Sequence, residues 1–246
     1  MSAPLRVIGV FAKWPLAGAV KTRLSPQCPE LCARAARAFL LDTLEKLSEV
    51  DARRVLVFAP ADTSEAFASM AANRFKIESQ TDGDLGRRLS TFFRAELDAG
   101  AKSVVVVGTD SPTMPVEFVE QAFVALASSD VVIGPATDGG YYLLGCGRRL
   151  PPVFDDIDWG SSRVLAQTVA RLSDGGWRVT LLPPWYDVDT PDDWAMLTGH
   201  IEALRVCGQK SGAPRTEALV GEFGLALSST IDLSQTEQGV PRSIRD

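Results

Sequence analysis

The chain has 246 residues, 46% of them hydrophobic and 23% charged, with a formal net charge of −6. A chain of this size and polarity can bury a full core, and at roughly 150 residues per domain it makes one large domain or two small ones. The acidic balance argues against a nucleic-acid polymer as partner, because such binding neutralises many phosphates with Lys and Arg. In so acidic a chain, a local cluster of cations stands out.

The four cysteines, Cys28, Cys32, Cys146 and Cys207, show neither a CxxC pair nor a zinc spacing and read as reduced, mostly buried thiols. The single histidine, His200, falls in a predicted C-terminal helix, which leaves a Ser-His-Asp site or a multi-histidine metal centre without support. No run approaches the ~18 apolar residues of a membrane span. The apolar stretch from Val7 to Ala12 is too short for a signal-peptide core, so the expected location is the cytoplasm.

In chain order, nearly continuous apolar runs alternate with helical patterns. Residues 5–12 form the first run, ended by the loop that carries Pro15, Gly18, Lys21, Thr22 and Arg23. A helix is predicted over 29–49, where Leu40, Leu44 and Leu47 share one face and Asp42, Glu45, Lys46 and Glu49 fall on others. Strands are predicted over 53–59, 103–108, 130–135, 141–146 and 177–183, with a weaker one over 75–79. Helices are predicted over 62–73, 84–99, 115–127, 161–173 and 191–205, with start signals at Asp84, Pro115, Ser161 and Thr190-Pro191.

The alternation predicts a three-layer α/β/α sandwich with a mostly parallel sheet and right-handed crossovers. The glycine-rich turn 136–140 joins two apolar runs as a hairpin would, so one strand should run antiparallel and the sheet should be mixed. From about residue 207 the pattern fades into Gly, Ser, Thr and Gln, with at most a short helix near Glu217–Leu227. The reading is therefore a domain over 1–206 and a partly ordered tail over 207–246.

In open α/β sheets, ligands bind beyond the carboxyl ends of the parallel strands. That rule gathers the Lys21 loop, Asp110 in GTDSP, Asp138 in TDGG, and Asp187 and Asp189 in DVDTP at one edge. The loop departs from G-x-x-x-x-G-K-[ST], since a first glycine is missing and the Gly-Lys spacing differs. A loop shaped by Pro15 and Gly18 still exposes backbone N–H groups suited to phosphate. No G-x-G-x-x-G follows the first strand, which disfavours a nicotinamide or flavin dinucleotide. Asp110 would otherwise cap the next turn, and Asp187 and Asp189 would compensate a helix dipole. Opposite a Lys/Arg loop, carboxylates from separate strand ends can also share Mg²⁺ with nucleotide phosphates.

Five stretches carry a resemblance: F-A-K-x-P-x-x-G-x-V-K-T-R-L, G-D-L-G-x-R, G-T-D-S-P-T-x-P, G-P-A-x-D-G-G-Y-Y-L-L-G and D-V-D-T-P-D-D. Over about residues 5–200 the chain resembles the "transferase 1, rSAM/selenodomain-associated" family, often labelled glycosyltransferase, within the GT-A or nucleotide-diphospho-sugar transferase superfamily. More distantly it is similar to molybdenum-cofactor guanylyltransferase and 2-phospholactate guanylyltransferase.

The resemblance implies a Rossmann-like GT-A fold and a transferase taking a nucleotide and a small-molecule acceptor. It places the nucleotide against Ala12, Lys13, Gly18, Lys21, Thr22 and Arg23, with Gly83 and Asp84 near the base or ribose. Mg²⁺ or Mn²⁺ falls to Asp110 and Asp189, and Lys21, Arg23 and Asp110 carry the chemistry. Asp138 faces the second substrate or the metal, and Gly139, Gly140 and Trp159 border the second substrate. Many glycosyltransferases of this fold carry D-x-D, whereas the strand end here reads T-D-S. That favours nucleotidyl transfer from a nucleoside triphosphate to a phosphorylated acceptor. The alternatives are glycosyl transfer from a nucleotide sugar, or a non-catalytic nucleotide-binding module, which a wide separation of Asp110 from Asp189 would favour. The base, the acceptor and the oligomeric state are not specified by the sequence.

Overall fold

A computed structural model describes residues 5–220. The apolar runs become strands β1 (Arg6–Lys13), β2 (Arg53–Ala59), β3 (Lys76–Ser79), β4 (Ser103–Val107), β5 (Val131–Pro135), β6 (Tyr141–Cys146) and β7 (Val179–Leu181). They form one seven-stranded sheet in the order β3-β2-β1-β4-β6-β5-β7. β6 runs antiparallel to both β4 and β5, while the other pairings are parallel. The sheet is therefore mixed, and the predicted hairpin through 136–140 is the link between β5 and β6.

The helices are α1 (Pro29–Leu47), α2 (Ser64–Ala71), α3 (Leu85–Asp98), α4 (Glu117–Ala125), α5 (Val164–Asp174) and α6 (Pro191–Val206). Strand side chains alternate between two apolar cores. Ile8, Val10, Leu56 and Val105 pack under Leu40 and Leu44 of α1, Phe67 of α2 and Phe123 of α4. Val7, Val55, Val104 and Ile133 meet Phe92 and Phe93 of α3 and Leu172 of α5 on the other face. A third cluster joins Phe39 of α1 to Trp194, Leu197 and Ile201 of α6.

Three boundaries differ from the sequence reading. α4 and α5 begin two and three residues later than Pro115 and Ser161, because those residues first accept three-residue turns from Phe118 and Val164 N–H groups. β7 shortens to Val179–Leu181, since Pro183 and Pro184 have no N–H to continue a ladder. Residues 214–220 are helical, and the remainder of the predicted 217–227 segment lies outside the described residues.

Asp42 does not lie on a solvated helix face. It is 1% exposed, and its carboxylate accepts from the Arg215 and Thr216 backbone N–H groups at 3.1 and 2.8 Å. A side chain of α1 thus caps the start of the 214–220 helix, answering backbone donors that a helix start leaves unpaired.

Candidate active site

The site lies where the strand order departs on either side of β1 and β4, at the carboxyl ends of the parallel strands. β1 runs out through Trp14, whose N–H donates to Ala59 at 2.7 Å, into a loop closed by Ala19 N–H to Leu16 at 3.0 Å and Leu24 N–H to Lys21 at 2.9 Å. Gly18 and Lys21 both adopt left-handed backbone, with φ of 76° and 50°. That conformation costs a lysine roughly 1–2 kcal/mol, and it turns the Lys21 side chain inward. Lys13 braces the loop from within, its ammonium donating to the Ala19 carbonyl at 2.8 Å.

The Lys21 ammonium bridges the segment after β4 and the segment before α6. It donates to Asp189 at 2.8 Å and forms an ion pair with Asp110, and it lies 5.5 Å from the centre of the Phe39 ring. Arg23 holds the second Asp189 oxygen at 2.9 Å. The Lys21 side chain is 5% exposed and that of Arg23 72%, so one cation is buried behind the carboxylates and the other faces solvent. Burial opposes the Lys21 charge, but Asp110 and Asp189 outweigh it and raise its pKa above the ordinary lysine value. Burial likewise opposes ionisation of Asp189, yet Lys21 and Arg23 hold its carboxyl below the usual range. Asp110 and Asp189 therefore share one ammonium; they do not show the wide separation that would have favoured the non-catalytic reading.

The acid run before α6 divides its labour. Asp193 and Thr190 form a reciprocal capping box, and Asp193 also accepts from the Asp189 N–H at 3.0 Å. Asp189 is thereby oriented toward the cations.

Asp187 is the residue the sequence reading left among helix-compensating acids. It lies two positions from Asp189 on an extended segment, accepts a hydrogen bond from Ser111 Oγ, and lines the same cleft. Burial, and then the neighbouring Asp110 charge, push its carboxyl up to about 7. The signal that pointed to it was the D-V-D alternation, which sends both carboxylates to one side of an extended chain.

A cleft of about 710 Å³ opens beside these groups, lined by the charged side chains of Arg23, Asp110, Asp138, Asp187 and Asp189 and by the apolar and aromatic ones of Phe11, Leu85, Leu89, Tyr141 and Trp159. Gly83, at φ 113°, leads into Asp84, which caps α3 by accepting from the Arg87 N–H at 2.8 Å. Gly86 carries no side chain where a Cβ would meet Phe154 O and the Trp159 ring at 2.2 and 2.4 Å. The G-D-L-G stretch thus seats Trp159 in the wall.

The D-G-G turn is also steric in origin. Asp138 accepts from the Gly140 N–H at 2.8 Å. Gly139 has φ 92° and approaches Ser162 so closely that a Cβ would lie 2.2 Å from its carbonyl oxygen. Ala12 is buried, while Thr22 and Gly18 are exposed on the loop. Of the residues expected against the nucleotide, Arg23 lines this cleft, while Ala12, Lys13, Gly18, Lys21 and Thr22 at the β1 exit and Gly83 and Asp84 before α3 lie outside its lining; Asp138, Gly140 and Trp159 line it and Gly139 does not.

Among the described residues no group of three or more His, Cys, Asp and Glu side chains forms a ready metal cage. The donor set is oxygen only. It nonetheless suits a hard dication that takes one or two carboxylates and completes its shell with waters or phosphate oxygens. Asp187 supports the fit, since a carboxylate raised by burial and a like charge is the place where added positive charge is favoured. No helix among the described residues is long and apolar enough to cross a membrane.

A mixed α/β sandwich with a cation loop facing carboxylates at the sheet edge has the fold of its nucleotide-diphospho-sugar transferase-like neighbours. A structure from Desulfovibrio desulfuricans G20, provisionally called a nucleotide-diphospho-sugar transferase, is 33% identical, with a TM-score of 0.80 over 89% of this chain and 97% of that one. The chain belongs to the same family as that protein, in agreement with the resemblance carried by the five sequence motifs.

The family model described as an uncharacterized protein conserved in bacteria (DUF2064) matches residues 42–161. A 3-phospho-D-glycerate guanylyltransferase from Phenylobacterium zucineum (strain HLK1) is 32% identical over 128 residues, 48% of this chain and 56% of that protein. The chain thus spans little more than half the length of this curated relative. The 4-diphosphocytidyl-2C-methyl-D-erythritol synthase of Anaerococcus prevotii DSM 20548 shares the fold, with a TM-score of 0.57 at 11% identity, covering 81% of this chain and 96% of the other.

Proposed function

We propose that the protein is a divalent-metal-dependent nucleotidyltransferase that joins a nucleoside monophosphate unit to a phosphorylated small-molecule acceptor. The observation that carries this reading is the buried Lys21 ammonium held between Asp110 and Asp189, two carboxylates that with the exposed Arg23 line a cleft of about 710 Å³.

Lys21 and Arg23 exchange their carboxylate partners for the phosphates of an entering triphosphate, and Asp110 and Asp189, so released, are free to hold Mg²⁺ or Mn²⁺, with Asp187 alongside. The metal, when bound, supplies Lewis-acid stabilisation of charge on the phosphate oxygens. The acceptor lies against Asp138, Gly140 and Trp159, where the glycine turn admits it close to the backbone. An acceptor phosphate oxygen attacks the α-phosphorus in line, the bond to the bridging oxygen breaks, and pyrophosphate leaves with that electron pair. Lys21 and Arg23 meet the charge that develops on the phosphates, and preorganised cations in a partly dry site are the largest contribution such a site makes. An anionic phosphate acceptor needs no strong base, in keeping with the single histidine.

The Phenylobacterium relative, named for guanylyl transfer to 3-phospho-D-glycerate, makes GTP with phospho-acids the first combination to try. The test is release of pyrophosphate from a panel of nucleoside triphosphates, with Mg²⁺ and a series of phospho-acids and sugar phosphates. Turnover of a nucleotide sugar alone would overturn the proposal. Asp187 favours that second reading, because a buried carboxyl near 7 lining the cleft suits general-base activation of a hydroxyl acceptor.

A further inference from the structure

The loop that follows Asp110 is gripped from two directions. On one side Val188 N–H donates to the Asp110 carbonyl at 2.9 Å, and Tyr186 and Thr113 share a hydroxyl–hydroxyl hydrogen bond of 2.8 Å. These ties join the loop to the 186–189 segment. The other grip comes from α1. The Lys46 ammonium donates to the Pro112 carbonyl at 2.8 Å and to the Met114 carbonyl at 2.6 Å. Lys46 lines no part of the cleft.

We propose that Lys46 is a positioning residue for Asp110, setting the distance between the carboxylate side of the cleft and the Lys21 side. α1 is the common frame, because it also carries Phe39, against whose ring the Lys21 ammonium lies. One helix therefore supports the cation through Phe39 and the loop after the carboxylate through Lys46. Two carbonyl acceptors from residues two apart fix that loop in both position and pitch.

The segment after α6 completes the arrangement. Asp42 lies one turn before Lys46 on α1 and receives four hydrogen bonds, from the backbone N–H and side chain of Arg215 and of Thr216. Gly212, in left-handed backbone at φ 66°, passes beside the Lys46 chain. The docked segment shields Lys46 from water, and burial, partly offset by Asp42 and Glu117, lowers its pKa to about 8.

The proposal rests on the nucleotidyl-transfer reading for its effect on rate, but its geometric part is tested separately. In Lys46→Met, amide hydrogen exchange at 111–115 should accelerate on the order of tenfold while exchange in β1 and β2 is unchanged. Turnover should fall about tenfold in kcat with the nucleotide KM within about twofold of the parent, and Lys46→Arg should recover most of the loss. Asp42→Asn, which loosens the docked segment, should accelerate the 111–115 amides by roughly threefold. Should Lys46→Met fail to fold, Lys46→Gln is read by the same criteria. Unchanged exchange at 111–115, or a parent-like kcat in a variant with a loosened loop, would overturn the proposal. Absence of nucleotide turnover by the parent chain would instead overturn the functional reading, and the exchange data would still decide the role of Lys46.

Discussion

The loop after β1 and the loop after β4 face each other across the cleft and are built by opposite strategies. The backbone of the first is turned from within, by the Leu16–Ala19 and Lys21–Leu24 turns and by Lys13 on Ala19, and only its Lys21 and Arg23 side chains reach across to Asp110 and Asp189. The second is held from outside, by Lys46 of α1 and by Tyr186, Asp187 and Val188, more than sixty residues away in each case. A self-braced loop keeps its shape when a distant element is perturbed. An externally braced loop inherits every movement of its supports. The first should therefore tolerate remote substitutions that disturb the second.

The largest expected effect is at the meeting point of the two loops. Asp110→Asn should lower metal-dependent turnover by about 10³-fold or more, with circular dichroism and thermal midpoint close to the parent, because the change is isosteric and half-exposed. Full activity in that variant would remove Asp110 from the site. Lys21→Met should lower kcat/KM by ~10²-fold for the nucleotide and destabilise the fold by about 2 kcal/mol, since Asp110 and Asp189 lose their shared cation. Denaturant titration beside steady-state kinetics checks both halves.

A smaller effect is expected from Asp187. Its folded-state pKa of about 7 exceeds its ordinary value of 3.8, so between these values the unfolded chain ionises while the folded one keeps the proton. Stability should fall as pH rises through that window and level off above it, by about 2 kcal/mol for a partly exposed group. Asp187→Asn should flatten the slope, and a slope unchanged by the substitution would show that another group sets it. The smallest is Tyr186→Phe, which removes the hydroxyl between Thr113 and His200. It should cost about 1 kcal/mol of stability and loosen the 110–115 loop, while amide exchange in the Lys21 loop stays at the parent rate. Equal loosening of both loops would break the comparison.

The same contrast explains what was readable without coordinates. Lys21 and Arg23 could be found because a self-contained loop writes its determinants into one stretch, from Phe11 to Pro26. The strands and their hairpin were readable for a similar reason, each being a short run with its own turn signal. Asp187 was half visible. The D-V-D alternation pointed to it, but Thr190-Pro191 offered a sufficient local explanation in helix capping, a role that Asp193 in fact fills. Lys46 and Asp42 could be placed only on faces away from Leu40, Leu44 and Leu47, because their partners lie at 112–114 and 215–216. Periodicity records which face of a helix is polar. It does not record whether that face meets water or another segment of backbone.

The closeness of Gly139 to Ser162 bears on how the cleft tolerates change. A single methyl group at this turn would have no room and would also resist the φ of 92°, so the turn and the start of α5 would have to separate. Asp138 and Trp159 belong to the two parts that would move apart. The spacing between the acidic turn and the aromatic wall is thus gauged by a hydrogen atom.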